Sequence, residues 1–182
     1  LAYTYVRSSI RQEMASLAKA FAIASTLLSG AIFGFFYAWV CSTMWGLDQA
    51  DPRVAIAAMQ AMNASVRNAL FFPAFFLTPV LLGVTALLCL AWRARSAGIC
   101  FASAAALYVV LGFLLTMTIN VPMNEELAVL QVPEDVDSAA RAWSDYSRPW
   151  QFWNSVRAIA CGAVLVLSAI GLTRLPRAGP SI

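Results

Sequence analysis

The amino-acid sequence predicts an all-α fold, a four-helix transmembrane bundle. Composition is the first observation: 61% of the 182 residues are hydrophobic, only 12% are charged, and the mean hydropathy is +0.73. These values lie outside the range of soluble globular domains. The second observation is four long apolar runs, each sufficient to cross a hydrocarbon core of about 30 Å, which takes roughly 20 helical residues. No sustained series of short alternating segments, as in membrane β-barrels, is present.

The predicted elements form a single domain over residues 1–182. The four spans cover about 20–45, 69–92, 97–120 and 149–173. Two short amphipathic helices are predicted on the outer side of the membrane, at about 52–66 and 137–147.

Local signals set the boundaries of the two outer helices. Asp51 is a typical helix N-cap, and Pro52 suits the first helical position. The second outer helix carries charges at four-residue intervals, which predicts a hydrated, ion-paired face: Asp137, Arg141 and Asp145. Pro149 is expected to separate this helix from the fourth span.

Charge placement predicts the orientation, because Lys and Arg in short loops stay on the cytoplasmic side. One set of loops and termini holds seven basic residues against a single acid, Glu13; the seven are Arg7, Arg11, Lys19, Arg93, Arg95, Arg174 and Arg177. The opposite side holds five arginines and eight acids. Both termini are therefore predicted to be cytoplasmic, in a bacterial inner membrane. The lipid bilayer is the expected partner, and no feature indicates nucleic acid.

Two motifs inside the spans predict local packing. Gly30 and Gly34 lie four residues apart in the first span, a spacing that favours close approach of a neighbouring helix. Asn120 and Asn124 lie four apart on either side of Pro122 in the third span. The proline is expected to loosen the helix there and to free backbone groups for other partners.

Arg157 is the most unusual residue of the fourth span. It lies eight residues beyond Pro149, about 12 Å at roughly 1.5 Å per residue, and sixteen uncharged residues follow it up to Thr173. A charge at the centre of a membrane costs roughly 2.5–3.5 kcal/mol, so such residues face a cavity or a partner. Snorkelling of the guanidinium to the interface is the alternative.

The topology brings polar and aromatic side chains from several elements to one membrane depth. They are Gln60, Asn63, Arg67, Asn120, Asn124, Glu125, Trp143, Tyr146, Trp150, Trp153, Asn154 and Arg157. Buried polar groups need hydrogen-bond partners, so these residues could satisfy one another as structural contacts. Alternatively, they line an aromatic-walled, cationic pocket open to the outer leaflet.

The sequence resembles the anthrone oxygenase-like integral membrane family, whose domain is also classed as one of unknown function. The most specific part is the pairing of Asn-Val-Pro-x-Asn, residues 120–124, with Trp-Asn-x-x-Arg, residues 153–157; Glu125, Trp143 and Trp150 also match. Gly30 to Gly34 and Met59-Gln60 with Asn63 also match, and the likeness covers most of residues 20–172. It implies a four-helix membrane fold. Some fungal members of the family oxidise anthrones to anthraquinones with dioxygen and no recognised cofactor, and the resemblance implies that activity as a possible one for this chain.

Under that implied chemistry the predicted site divides into two groups. The catalytic candidates are Arg157 and Arg67, which would stabilise a substrate oxyanion, and Glu125 and Tyr146, which would take the proton. The substrate-binding candidates are Gln60, Asn63, Asn120, Asn124, Trp143, Trp150, Trp153 and Asn154. The expected ligand is a hydrophobic aromatic or quinone-like molecule, because indole rings offer it flat apolar walls.

The absence of histidine and of an internal repeat bears on other classes of function. The chain has no His, which excludes a histidine-ligated metal oxygenase, and neither a metal nor a cofactor is predicted. A transporter would show an internal repeat, and none is evident. The remaining alternative is a non-catalytic subunit or assembly factor of a larger membrane complex, which would bind a partner helix, a lipid or a quinone. A homo-oligomer also stays open.

Overall fold

The computed structural model describes residues 2–176, with side chains from residue 12 onward. It contains five continuous helices: α1 (2–48), α2 (Pro52–Ser65), α3 (Phe71–Ala91), α4 (Arg95–Val129) and α5 (Val136–Thr173). Four of them, α1, α3, α4 and α5, are long and apolar enough to cross a membrane. No strand occurs in the described residues. The predicted all-α class with four spans is confirmed. Arg7, Arg11 and Arg177, used above for orientation, lie outside the described side chains.

The four long helices form a ring in which α1 and α4 each pack against α3 and α5. Their common core contains the buried side chains Phe36, Phe75, Leu82, Phe101, Tyr108 and Val164. The short helix α2 packs against the C-terminal end of α4 and the N-terminal part of α5. It buries Ile56 and Met59 in a second apolar cluster with Trp143, Tyr146 and Trp150. Residues of both clusters border the cavity described below.

The predicted start of α2 is confirmed. The Asp51 carboxylate accepts a hydrogen bond from the Arg53 backbone N–H at 2.9 Å, and the Arg53 guanidinium binds the same carboxylate at 2.6 Å. Hydrogen bonds from the Arg53 side chain and backbone lower the pKa of Asp51 from 3.8 to about 2. Because the folded-state pKa is depressed, the stabilisation is present above the ordinary pKa and is lost as the pH falls through about 2.

The predicted break at Pro149 does not occur, because α5 continues through this proline to Thr173. Pro149 and Asp145, whose carbonyl loses its helical donor, are both exposed, so water can satisfy that carbonyl. The N-cap of α5 is Asp135, which accepts from the Ser138 N–H at 2.9 Å. The predicted ion pairs of Arg141 are not formed in the described structure; its guanidinium donates to the Ser138 hydroxyl instead.

The loosening predicted around Pro122 takes the form of π-helical turns. Two such segments, Tyr108–Leu114 and Thr116–Asn120, directly precede the turn that contains Pro122. The helix then continues to Val129, nine residues beyond the predicted end of the third span. The wider turns before Pro122 accommodate its ring, and α4 continues as one helix.

The predicted close approach at Gly30 and Gly34 is wrong for the packing within this chain. A Cβ added to Gly30 would lie 3.7 Å from Leu165, an ordinary contact, and one added to Gly34 would meet nothing within 4 Å. The tight positions are Gly98, where an added Cβ would lie 2.8 Å from the Leu90 side chain, and Gly171, where it would lie 2.8 Å from the Phe101 ring. Both glycines lie towards the end of the bundle away from α2, and Gly171 brings α5 close to α4 there.

A hydrogen bond from α4 compensates for the proline inside α3. Pro79 has no N–H to donate to the Phe75 carbonyl one turn earlier. The buried hydroxyl of Tyr108 donates to that carbonyl at 2.9 Å. The Phe75 ring, which borders the cavity, also stacks on Phe113 with centroids 5.5 Å apart. Tyr108 therefore fixes the part of α3 that carries the cavity wall.

We expect Tyr108→Phe to lower the free energy of unfolding by about 1–3 kcal/mol, because it leaves a buried carbonyl without a donor. Thermal unfolding in detergent measures this change. Tyr37→Phe is the matched control: Tyr37 is half exposed, so removing its hydroxyl should change stability little. Equal stability losses in the two variants would contradict the compensation of Pro79 by Tyr108.

Candidate functional site

A cavity of about 330 Å³ lies among the four long helices, in the half of the bundle nearer α2, and is also bordered by α2 and the turn after it. Its walls are mainly aromatic: Phe35, Phe36, Trp39, Phe71, Phe72, Phe75, Phe76 and Trp150. The remaining lining residues are Met62, Asn63, Val66, Arg67, Thr116, Met117, Val121, Asn124, Glu125, Asn154 and Arg157. A few polar groups in an apolar cleft of this size are typical of small-molecule sites.

Arg157 is buried in the cavity wall, with 4% of its surface exposed, and it does not snorkel outward. Its guanidinium donates to the Thr116 hydroxyl at 3.1 Å and to the Asn154 side-chain oxygen at 2.9 Å. The guanidinium carbon also lies 4.5 Å from the centroid of Phe36 and 5.5 Å from that of Trp150, both within cation–π range. No carboxylate pairs with Arg157 among the described residues. The cavity therefore contains a buried, uncompensated positive charge.

The polar mouth of the cavity is an ion pair between two chain segments. Arg67, in the turn after α2, donates to the carboxylate of Glu125 on α4 at 2.7 Å. The side chains are 55% and 58% exposed, and pairs of this kind contribute little to stability. Arg67 and Glu125 thus lie at the rim, well separated in environment from the buried Arg157.

Asn124 organises the wall between the mouth and Arg157. Its side-chain oxygen accepts from the Tyr146 hydroxyl and from the Trp150 indole N–H, both at 2.8 Å. Asn63 donates to the Tyr146 hydroxyl at 3.4 Å. Tyr146 is buried and does not itself border the cavity, so its role in the described structure is to hold Asn124 and Asn63 together.

Seven of the twelve predicted site residues line the cavity: Asn63, Arg67, Asn124, Glu125, Trp150, Asn154 and Arg157. The other five lie outside the cavity lining; they are Tyr146, Gln60, Trp143, Trp153 and Asn120. Gln60 donates to the carbonyls of Leu127 and Leu130 at the end of α4, at 2.8 and 2.9 Å. Trp143 donates its indole N–H to Asp48 at 2.9 Å, which ties α1 to α5. Trp153 is partly exposed and packs against Phe152, and Asn120 is buried outside the lining.

The aromatic wall contributed by α3 was not among the residues predicted from the sequence. Phe71 stacks on Phe75 at 5.4 Å, and Phe72 meets Phe76 edge-on at 5.7 Å. The signal was available, because the run Phe-Phe-Pro-Ala-Phe-Phe places two aromatic pairs four residues apart on neighbouring helix faces. Thr116, which also lines the cavity, was not predicted either. The only signal for it was its four-residue spacing from Asn120, which places the two residues on one side of α4.

These features define a class: an all-helical protein with four membrane-length helices around an aromatic cavity that contains a buried arginine. The chain belongs to the anthrone oxygenase family, whose family model matches residues 62–167, more than half of the sequence. The matched segment contains every predicted site residue except Gln60. Comparisons with curated proteins and with solved structures gave no match.

Proposed function

We propose that this protein is a cofactor-independent membrane oxygenase that oxidises an anthrone-like phenolic molecule with dioxygen. The observation that carries the proposal is the buried guanidinium of Arg157 in an aromatic-walled cavity, without a carboxylate partner among the described residues. A desolvated positive charge gains most from an anionic ligand. Family membership supports the same substrate class.

A phenolate or enolate of a flat three-ring molecule matches both the aromatic walls of the cavity and the buried guanidinium of Arg157. Its rings would lie against the aromatic walls, and its oxyanion would accept hydrogen bonds from Arg157. Phe72, Phe76 and Met117 border the cavity and are also exposed on the outer surface of the helices. A lipid-dissolved substrate would therefore enter sideways, between α3 and α4.

Deprotonation makes such a substrate reactive towards dioxygen. Glu125 is the acidic side chain among the described lining residues, so we assign it the role of proton acceptor. The resulting carbanion forms a bond to one oxygen atom of dioxygen and gives a hydroperoxide after proton return. Loss of water then leaves a carbonyl. In total one methylene becomes one carbonyl, one oxygen atom enters the quinone, and the other leaves as water.

The other predicted groups receive supporting roles in this proposal. Trp150 is a wall, and Asn154 orients Arg157 through their 2.9 Å hydrogen bond. Asn63, Asn124 and Tyr146 hold Trp150 in place. Arg67 holds Glu125 at the mouth through their ion pair. The chemistry calls for no metal, because the anion itself supplies the electrons to dioxygen.

Turnover of anthrone by the purified protein in mild detergent tests the proposal. We expect anthraquinone absorbance to grow faster than in detergent alone, with one dioxygen consumed per quinone formed. With isotopically labelled dioxygen, one labelled atom should appear in the quinone. A rate equal to spontaneous autoxidation, together with copurification in a larger complex, would instead favour a non-catalytic subunit.

We further propose that the protein resides in a bacterial inner membrane with both termini in the cytoplasm, so that the cavity opens towards the outer leaflet. The distribution of Lys and Arg supports this orientation. A fluorescent protein fused to the C-terminus should then be fluorescent, and an alkaline phosphatase fused there should be inactive. The reverse pattern would contradict the orientation.

A further inference from the structure

Direct polar ties join α4 and α5 at two levels, at Thr116 and at Asn124, which accepts from both Tyr146 and Trp150. Arg157 donates to Thr116 at 3.1 Å, and Trp150 donates to Asn124 at 2.8 Å. Thr116 and Asn124 are eight residues apart on α4, and the two helices run in opposite directions. Asn120 lies midway between these ties, about one helical turn from each. Its position in the register therefore faces the stretch of α5 between Trp150 and Arg157.

Asn120 is 1% exposed, and neither polar atom of its side chain has a hydrogen-bond partner among the described residues. The Nε of Arg157 is likewise buried without a partner in the described structure. Leaving a buried polar group unsatisfied costs about 1–3 kcal/mol, so such groups normally find a partner. Two orphaned groups one turn apart on facing helices thus indicate a shared partner.

The chemistry of the orphaned atoms specifies that partner. Arg157 Nε and Asn120 Nδ2 are donors, and Asn120 Oδ1 is an acceptor. An oxygen that accepts from the donors, and that also carries a hydrogen, matches this set. Asn120 does not border the aromatic cavity, whereas Thr116 and Asn124 on either side of it do. The site therefore lies behind the cavity wall.

We propose that Asn120 and the Nε of Arg157 bind a hydroxyl-type oxygen between α4 and α5, supplied by buried water. This oxygen completes the hydrogen bonds of the guanidinium and holds its two terminal nitrogens towards Thr116, Asn154 and the cavity. Asn120 is a positioning residue for Arg157. The site itself is independent of the oxygenase chemistry, and only the ligand measurement below rests on the proposed cavity.

Asn120→Leu tests the site, because leucine has the same branched side chain of four heavy atoms and cannot hydrogen-bond. In ligand-free protein in detergent, we expect the unfolding temperature to fall by about 3–6 °C. We expect affinity for a dihydroxyanthraquinone, measured by quenching of tryptophan fluorescence, to fall about fivefold. Asn120→Ser, which keeps hydrogen-bonding capacity and leaves room for water, should restore most of the affinity. Ile119→Leu controls for repacking of the same turn.

The outcomes separate the sources of the oxygen. A lower unfolding temperature of Asn120→Leu without ligand supports buried water. An unchanged or raised unfolding temperature with weaker dye binding would show that the ligand supplies the oxygen, and would overturn the water site. A raised unfolding temperature with unchanged binding would show that Asn120 is simply unsatisfied. The stability measurement needs neither dioxygen nor turnover, so it stands even if anthrone is not oxidised.

Discussion

Replacing Arg157 by Gln is expected to lower kcat/KM for anthrone oxidation by about 100- to 1000-fold, the usual loss when one oxyanion donor is removed. Gln keeps an amide that can donate a hydrogen bond, but it carries no charge to stabilise the substrate anion. Removing a buried charge also removes its desolvation cost, so we expect the helical fold to persist. Oxygen uptake and circular dichroism measure the two effects separately.

Arg67→Gln is the matched control for this substitution. Arg67 borders the same cavity, but it is more than half exposed and already paired with Glu125. We expect its loss to change kcat/KM less than about tenfold, since an exposed charge in high dielectric interacts weakly. Folded Arg157→Gln protein with unchanged turnover would remove the oxyanion role. Equal losses in the two variants would place the critical charge at the mouth instead.

Trp150→Ala should lower the free energy of unfolding by about 3–5 kcal/mol, the usual cost of truncating a buried aromatic residue to alanine. The indole is 4% exposed, contacts Trp39 with centroids 5.2 Å apart, and donates to Asn124. Its loss would join the cavity to the second apolar cluster and leave Arg157 without one of its two aromatic neighbours. Denaturant or thermal unfolding in detergent gives the stability change.

Trp153→Ala provides a control of the same residue type three positions away. Trp153 is partly exposed and outside the cavity lining, so we expect a loss of about 1 kcal/mol or less and little change in turnover. Trp150→Phe should fall between the two, because it keeps an aromatic wall but not the hydrogen bond. A stability loss for Trp153→Ala as large as that for Trp150→Ala would show that Trp150 holds no special place in the wall.

The sequence left two interpretations of the polar residues, structural contacts or the lining of a pocket, and each applies to different residues. Gln60, Trp143 and Tyr146 are engaged in hydrogen bonds that join helices, which fits structural contacts. Arg157 and Asn154 also bond to their neighbours, yet both border the cavity. The family match includes residues of both kinds, so membership alone does not separate binding from structure.

Composition and apolar run length by themselves determined the all-helical class and the four membrane-length helices, because a bilayer leaves few ways to satisfy backbone hydrogen bonds. The N-cap at Asp51 was equally local and was predicted correctly. Local rules failed at Pro149, where an exposed carbonyl let α5 continue as one helix.

Only the tertiary structure decided which side chains meet. Trp150 and Trp153 are three residues apart, so the helical period places them near each other on the surface of α5. The packing of α5 against α1 and α4 puts Trp150 in the cavity wall and leaves Trp153 outside it. Tyr108, 33 residues away from Phe75, completes the hydrogen bond that Pro79 cannot make and so supports the part of α3 that carries the aromatic residues of the site. Contacts between distant residues depend on how several helices pack at once, which the periodicity of one helix cannot specify.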